Sequence, residues 1–174
     1  MHGNSPLLVI EIFMQPKPDW RKKGHWLPAS KAGSLFFRMI APISDRFVFR
    51  LSRGRQTAVS LIAGLPSIVL TMEGAKTGER RAVTLLGIPD KERFIVIASN
   101  FGQKHNPSWY YNLLSNPNII VTLNGKTMPY RARQVFDLEY QGCWDKAIRV
   151  YKGYEAYKQR ARRGIPIFIL EPQN

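Results

Sequence analysis

Short apolar runs separated by tight turn signals dominate the chain from Ser67 onward. The runs are rich in Ile, Val, Phe and Leu, and β-branched and aromatic residues favour strands. Asn124-Gly125, between two of the runs, is the strongest short hairpin signal that a sequence offers. The pattern predicts strands over residues 68–72, 81–88, 94–99, 118–123, 126–135 and 165–170, with a turn at 89–91.

Other stretches carry the apolar spacing of helices. Asn106-Pro107 is typical of a helix start, with Asn as N-cap and Pro in the first position, and predicts a helix over 108–114. Asp137 is predicted to cap a second helix. The apolar face of this helix consists of Tyr140, Trp144, Ile148 and Tyr151. Gly153 ends it, and a third helix is predicted over 154–163.

Short links between the strands favour a mainly antiparallel sheet. We expect an α+β fold in which this sheet closes into a barrel with helices at its mouth. Pro166, inside the last predicted strand, indicates either an edge strand or a strand end. Residues 34–174 are predicted to form this one domain.

The N-terminal part of the chain has a different pattern. Residues 1–33 are punctuated by prolines and predict an N-terminal arm that is partly disordered. Residues 34–53 have the spacing of an amphipathic helix, which Pro42 kinks or divides. Two interpretations of this helix stay open, namely packing in a core or interface and association with a membrane surface.

Charge and cysteine content narrow the classes of function. The 174-residue chain has 26 Lys and Arg against 12 Asp and Glu, a net charge of +14, which predicts an anionic partner. A single cysteine, Cys143, excludes an intramolecular disulfide, fits a cytoplasmic location and is read as a buried structural thiol. The scattered histidines predict no metal site. No run reaches the roughly 20 apolar residues of a membrane span.

The turn at residues 74–81 is the first candidate for chemistry. Glycines at 74 and 78 bracket it, and it carries Lys76, Thr77, Arg80 and Arg81. Such a turn can bind an anion through backbone amides and cationic side chains, although taken alone it is more simply a solvated hairpin. A nucleotide P-loop is excluded, because Ala75 precedes the lysine and a β-rich run follows.

Further candidates lie along the rest of the chain. The end of the third predicted strand, residues 97–100, has small and polar residues that allow a planar ligand to approach the backbone. Residues 106–112 combine a helix start with aromatic rings. Tyr151, Tyr154 and Tyr157 are spaced for stacking or hydrogen bonding, with core packing as the alternative. No hydrolytic constellation is present, so any chemistry is expected to come from a bound cofactor.

Taken together, these segments resemble the deazaflavin-dependent nitroreductases and quinone reductases. The likeness spans residues 67–172 and rests on five segments in the family's order, namely the turn at 74–81, the strand end at 97–100, the run at 106–117, the tyrosines at 151–157 and the closing segment at 165–172. It implies a split β-barrel of the flavin-reductase (FMN-binding-like) type. It also implies an enzyme that uses coenzyme F420 to reduce a quinone, a nitroaromatic or a similar electrophile.

The resemblance also implies roles for residues. The cofactor-binding set that it implies is Lys76, Thr77, Arg81, Val83, Thr84, Leu85, Leu86, Ile97, Ala98, Ser99, Asn100, Ser108, Trp109 and Asn112. Tyr151, Tyr154 and Tyr157 would be the catalytic residues on the substrate side. Ala75 and Asn100 replace basic residues of some relatives, which keeps an FMN-dependent reductase on the same fold as an alternative. Peripheral contact of residues 1–53 with the inner face of the cell membrane and a homodimer are further expectations. A basic binding module for membrane or nucleic acid is the other alternative, and nucleic acid is not expected as a partner.

Overall fold

A single antiparallel sheet organises residues 67–173, which are the residues that the computed structural model describes. Within them, the seven strands are β1 (Ser67–Glu73), β2 (Arg80–Leu86), β3 (Ile88–Asp90), β4 (Arg93–Ile97), β5 (Asn118–Leu123), β6 (Lys126–Gln134) and β7 (Ile167–Pro172). The helices are α1 (Ser108–Ser115), α2 (Asp137–Val150) and α3 (Gly153–Ala161), and a 3-10 turn covers Asn100–Gly102. The predicted arm at 1–33 and helix at 34–53 lie outside the described residues.

The sheet curls until its edges meet. Its strand order is β2-β1-β5-β6-β7-β4-β3, so β2 and β3 occupy opposite edges. Gly87 alone joins these two strands along the chain, which is only possible if the edges lie side by side. A Cβ at Gly87 would lie 2.8 Å from three side-chain atoms of Ile68, so a larger residue would push β1 away from the junction. The sheet is therefore a nearly closed barrel.

Strand alternation creates two apolar cores, one on each face of the sheet. On β7, Phe168 and Leu170 point into the barrel, where Trp109 and Leu113 of α1 join them. The intervening residues of β7 point outward and are covered by α2 and α3. The outer core contains Ile95, Ile97, Cys143, Trp144, Ala147, Tyr151, Tyr154, Tyr157, Ile167 and Ile169. Because helices cover one face and α1 fills the other, β7 is apolar at nearly every position.

Several local predictions need correction. The strand predicted over 81–88 is divided at Gly87, and residues 89–90 belong to β3, so the chain turns at Lys91 (φ 58°) instead. Pro166 precedes β7, which lies between β6 and β4, so the edge-strand alternative is wrong and the strand-end alternative is confirmed.

The predicted helix caps are also wrong. Helix α1 has Pro107 as its N-cap, without a side-chain capping bond, and Asn106 lies one residue further out. Helix α2 has Phe136 as its N-cap, and Asp137 is its first residue. Each helix therefore begins one residue away from the predicted position, and neither the Asn106 nor the Asp137 side chain caps it.

Candidate functional site

The turn between β1 and β2 is closed by its own backbone. The Gly74 amide donates to the Glu79 carbonyl at 2.8 Å, and the amides of Thr77 and Gly78 donate to the Gly74 carbonyl at 3.2 and 2.8 Å. The Glu79 amide donates to the Thr77 hydroxyl at 3.3 Å. These amides are already bonded, so the expected backbone anion nest is not supported. An anion at this turn would be held by side chains.

The turn presents a cluster of exposed cations. Lys76, Arg80 and Arg81 are all exposed to solvent. Arg81 donates from Nη2 to a carboxylate oxygen of Glu79 at 2.6 Å. Among the described residues, neither Lys76 nor Arg80 has an ion-pair partner. Lys76 and Arg80 are therefore available to an anionic ligand, whereas Arg81 shares its charge with Glu79.

Two asparagines, Asn112 within α1 and Asn116 directly after it, bond the turn and the end of β1 to this helix. The Asn112 side-chain oxygen accepts a hydrogen bond from the Ala75 amide at 3.0 Å. The Asn116 side-chain amide donates to a carboxylate oxygen of Glu73 at 2.9 Å. Asn112, predicted to bind cofactor, thus positions the cationic turn, and sequence reasoning gave no signal for the role of Asn116.

Strand β2 places the next predicted residues on a partly exposed edge. Val83, Thr84, Leu85 and Leu86 are all half-buried. Val83 and Leu85 pack against the inner core and Leu86 against the outer core, as the two-residue period of a strand requires. This strip leads from the cationic turn to the barrel junction at Gly87.

The chain leaves β4 through an unusual loop. Ile97, Ala98 and Ser99 are buried, and then Asn100, Phe101 and Gly102 all have positive φ angles of 47°, 54° and 78°. A Cβ at position 102 would lie 3.1 Å from the Tyr157 backbone. Both the positive φ angle and the close packing against α3 therefore favour glycine at this position. Such sparsely populated backbone conformations persist only where surrounding contacts hold them.

Arg163 is the residue that holds this loop. Its Nη2 donates to the carbonyl oxygens of Ala98 and His105, both at 3.1 Å, and its Nε donates to the Gln103 carbonyl at 3.1 Å. Burial lowers the pKa of its guanidinium, which nevertheless stays charged. In the sequence, Arg163 ends a run of basic residues at 158–163, a pattern that is typical of a solvent-facing surface. No local signal reveals its bonds, because Ala98 is 65 residues away.

Asn100 makes a second set of loop contacts. Its side-chain amide donates to the His105 carbonyl at 3.1 Å and lies 3.2 Å from His105 Nδ1. Immediately after this loop, Ser108 is exposed at the start of α1, and Trp109 is buried with its ring edge toward Phe168. The structure thus gathers the turn, the β4 end and α1 on one side of the barrel.

The three predicted catalytic tyrosines lie in the outer core. Tyr151, Tyr154 and Tyr157 are 5%, 5% and 3% exposed, and the hydroxyls of Tyr151 and Tyr157 are 3.1 Å apart. Burial, with the neighbouring Tyr157 as a second cause, raises the pKa of Tyr151 and Tyr154, so both hydroxyls stay protonated. The Phe101 ring lies edge-on to Tyr157, 6.1 Å away, and connects the trio to the loop after β4.

Three further observations concern the described part of the chain. Cys143 is buried and burial raises its thiol pKa, which confirms the structural interpretation. Residues 67–173 contain no group of His, Cys, Asp and Glu side chains able to hold a metal ion. No helix in that range is long and apolar enough to cross a membrane.

The curled antiparallel sheet, with α1 packed on its inner core and α2 and α3 on its outer face, is a split barrel of the flavin-reductase type. A solved F420-H2 dependent reductase (FDR-A) is 34% identical, with a TM-score of 0.57, over 61% of this chain and 94% of that one. A solved chain described as a domain-swapped dimer is 28% identical, with a TM-score of 0.60, over 77% of this chain and 98% of that one. The predicted fold is confirmed.

The chain belongs to the F420H(2)-dependent quinone reductase family, whose sequence profile matches residues 45–172. A putative F420H(2)-dependent quinone reductase of Mycobacterium tuberculosis is 32% identical over 109 residues, which are 63% of this chain and 92% of that protein. The predicted family, the oxidoreductase class and coenzyme F420 as the cofactor are thereby confirmed.

Proposed function

We propose that this protein reduces a quinone with hydride from reduced coenzyme F420, which it binds between the turn at 74–81, β2 and the start of α1. When bound, the deazaflavin supplies the hydride. The observation that carries the proposal is the exposed cationic turn, bonded to α1 through Asn112, within a chain whose family match covers residues 45–172. F420 has an anionic phosphodiester and polyglutamate tail. The exposed cations of the turn, Lys76, Arg80 and Arg81, are complementary to it in charge.

Lys76, Thr77 and Arg81 would hold the anionic tail. Lys76 and Arg81 are exposed on one turn, and each charge-assisted bond would contribute about 1.5–3 kcal/mol. Because the Ala75 amide is tied to Asn112, the turn is positioned before the tail arrives, which reduces the entropic cost of binding.

The planar ring would lie between strand β2 and the loop after β4. The residues proposed to line it are Val83, Thr84, Leu85, Leu86, Ile97, Ala98, Ser99, Asn100, Ser108, Trp109 and Asn112. Two features support this placement. Val83, Leu85 and Leu86 of β2 are apolar and half-buried, so a ring on them would exclude water. Arg163 holds the β4 loop in shape. A rigid, water-poor site favours ordered hydride transfer.

Tyr151, Tyr154 and Tyr157 would act on the acceptor through a protonated hydroxyl. The 3.1 Å pair of Tyr151 and Tyr157 holds a donor behind the β4 loop, where it could hydrogen-bond an acceptor oxygen or supply a proton. Their burial equally supports the packing alternative. Tyr157→Phe separates the two, because the ring is kept: a catalytic hydroxyl predicts a lower kcat with unchanged cofactor affinity, and pure packing predicts a change in Tm alone.

The acceptor range and the assembly belong to the same proposal. Nitroaromatics are proposed beside quinones because both are electrophiles that accept hydride. Residues 1–53, with nine Lys and Arg against three Asp and Glu, are proposed to contact an anionic membrane surface, where lipophilic quinones reside. A homodimer is proposed because one structural relative is described as a domain-swapped dimer.

A binding titration tests the cofactor site. Purified protein is titrated with oxidised F420 and, separately, with FMN, following fluorescence, and F420H2 oxidation is then followed with a soluble quinone. We expect F420 to bind at micromolar concentration or below and FMN to bind more weakly. Absence of F420 binding would refute the proposal.

Lys76→Ala tests the turn itself. Loss of one charge-assisted contact predicts about tenfold weaker F420 binding. Lys126→Ala is the matched control, since Lys126 is also an exposed hairpin lysine but lies at the opposite end of the sheet. Equal affinities of the two variants would show that the turn does not hold the tail.

A further inference from the structure

One guanidinium bonds both ends of the loop that follows β4. The Arg163 Nη2 donates to the carbonyls of Ala98 and His105, which lie at the two ends, both at 3.1 Å. The Nε donates to the Gln103 carbonyl at 3.1 Å, and Nη1 donates to the Gly164 carbonyl at 2.9 Å. Four of the five N–H groups of this side chain therefore bond backbone oxygens. A lysine, which lacks the planar group, could not make the same set of bonds.

The backbone between these two ends is unfavourable by itself. Asn100, Phe101 and Gly102 have positive φ angles, and this conformation costs free energy at the two positions that are not glycine. Backbone hydrogen bonds within the loop join only residues three positions apart, from Gly102 to Ser99 and from Gln103 to Asn100. The bonds from Arg163 add a connection to the end of α3, about 60 residues later in the chain.

We propose that Arg163 is a positioning residue for hydride transfer, which keeps the loop after β4 in the shape that brings the bound deazaflavin and the quinone together. The inference rests on the proposed function, in which residues 97–100 line the ring. Because its donors are used by backbone carbonyls, Arg163 acts through the loop and does not need to touch the cofactor or the quinone.

The position of Arg163 determines which kinetic constant it should affect. A displacement of reacting groups by about 1 Å can lower a rate about 100-fold. The anionic tail of F420, in contrast, is proposed to be held by Lys76 and Arg81 at the turn between β1 and β2, to which Arg163 makes no hydrogen bond in residues 67–173. Loss of the Arg163 bonds should therefore lower kcat and leave the affinity for F420 nearly unchanged.

Two substitutions and a neighbouring control test this expectation. For Arg163→Gln we expect the kcat of F420H2 oxidation with a soluble quinone to fall about 10- to 100-fold, with an F420 dissociation constant close to that of wild type. Arg163→Lys keeps the charge but can bond only some of the carbonyls, so its kcat should lie between the two. Arg162→Gln is the control, because Arg162 is the adjacent arginine and is exposed, and it should keep the kcat of wild type.

Two further readouts separate positioning from a general loss of stability. With F420H2 deuterated at C5, Arg163→Gln should show a primary isotope effect on kcat at least as large as that of wild type, because the slowed step is hydride transfer. Trypsin cleavage after Lys104, an exposed residue of the loop, should be faster in Arg163→Gln than in Arg162→Gln. Cleavage after Lys126, in the hairpin between β5 and β6, should be equal in both variants.

Several results would overturn the inference. These are a wild-type kcat in Arg163→Gln, a loss of kcat/KM that comes wholly from weaker F420 binding, a lower kcat without an isotope effect, and faster cleavage at both lysines. If Arg163→Gln does not fold, Arg163→Lys serves in every one of these comparisons.

The inference and the proposed function fail in different ways. If wild type neither binds F420 nor oxidises F420H2, both fall. If wild type does so and Lys76→Ala weakens F420 binding, but Arg163→Gln has the kcat of wild type, only the assignment of Arg163 falls.

Discussion

The tyrosine cluster depends on a single glycine at the start of α3. A Cβ at Gly153 would lie 2.5 Å from Cε1 of Tyr151 and still closer to its ring end and hydroxyl. The Tyr151 ring has little room to move, because it is 5% exposed, bonded to the Tyr157 hydroxyl and packed edge-on to Tyr154 at 5.3 Å. Gly153→Ala should therefore displace Tyr151 from the outer core.

The expected cost follows from these contacts. Overpacking a core costs about 1–3 kcal/mol, and loss of the hydroxyl pair adds about 1 kcal/mol. Replacing a helical glycine by alanine ordinarily stabilises by about 0.5–1 kcal/mol, but this gain is smallest in the first turn, where Gly153 lies. We expect Gly153→Ala to lower the free energy of unfolding by about 1–3 kcal/mol.

Gly142→Ala is the matched control. Gly142 lies within α2, and a Cβ there would meet no atom within 4 Å, so only the helical gain of about 0.5–1 kcal/mol remains. Urea unfolding followed by circular dichroism measures both variants. At about 2–4 °C per kcal/mol for a chain of this size, the two should also shift Tm in opposite directions.

Equal stability of the two glycine variants would refute the packing argument. A more specific check is Gly153→Ala combined with Tyr151→Ala, which removes the ring that the new methyl group meets. The double variant should then lose no more stability than Tyr151→Ala alone. If the two losses instead add, Gly153 acts through something other than the Tyr151 ring.

Three further outcomes are expected. Burial raises the pKa of Asp90, but hydrogen bonds from Lys146 and Arg93 outweigh this and hold the pKa below its usual value. The ionised Asp90 carboxylate therefore stabilises the fold above about pH 4, and this stability is lost as pH falls through the folded-state pKa. The Tm gap between wild type and Asp90→Asn should accordingly shrink on acidification, and a constant gap would contradict this. Glu79→Gln frees Arg81 from its 2.6 Å ion pair and should tighten F420 binding about two- to fivefold; weaker binding would argue against a tail site at the turn. Cys143, 4% exposed with a raised thiol pKa, should react with a thiol reagent only after denaturant is added, and rapid reaction in native buffer would show that α2 opens.

Local chemistry explains which elements could be predicted from the sequence. The Asn124-Gly125 hairpin forms as expected, with φ angles of 51° and 77°, because these two residues tolerate the left-handed region that a tight hairpin needs. Strand β5 has its predicted bounds. Local patterns alone predict only an antiparallel barrel. The more specific prediction of a split barrel came from the order of the segments that resemble the reductase family.

Contacts distant in sequence explain what was missed. The close approach of Ile68 leaves no room for a Cβ at position 87, and Arg163 bonds carbonyls about 60 residues earlier in the chain. The tyrosines at 151, 154 and 157 could face a ligand or the core with the same spacing, and only the packing of α2 and α3 on the sheet buries them.

Local patterns predicted most of the strands, the Asn124-Gly125 hairpin and the charge of the turn at 74–81, because these depend on residues within a few positions of each other, and the order of the segments predicted the family. Which groups are free to act depends on contacts that form only in the folded chain. In the folded chain, most amides of the turn are bonded within the turn, the Asn112 side chain accepts a hydrogen bond from the Ala75 amide, and the Asn106 side-chain oxygen has no hydrogen-bond partner. Hydrogen-bond partners and burial are set by segments that meet only when the chain folds, and residue spacing does not contain them.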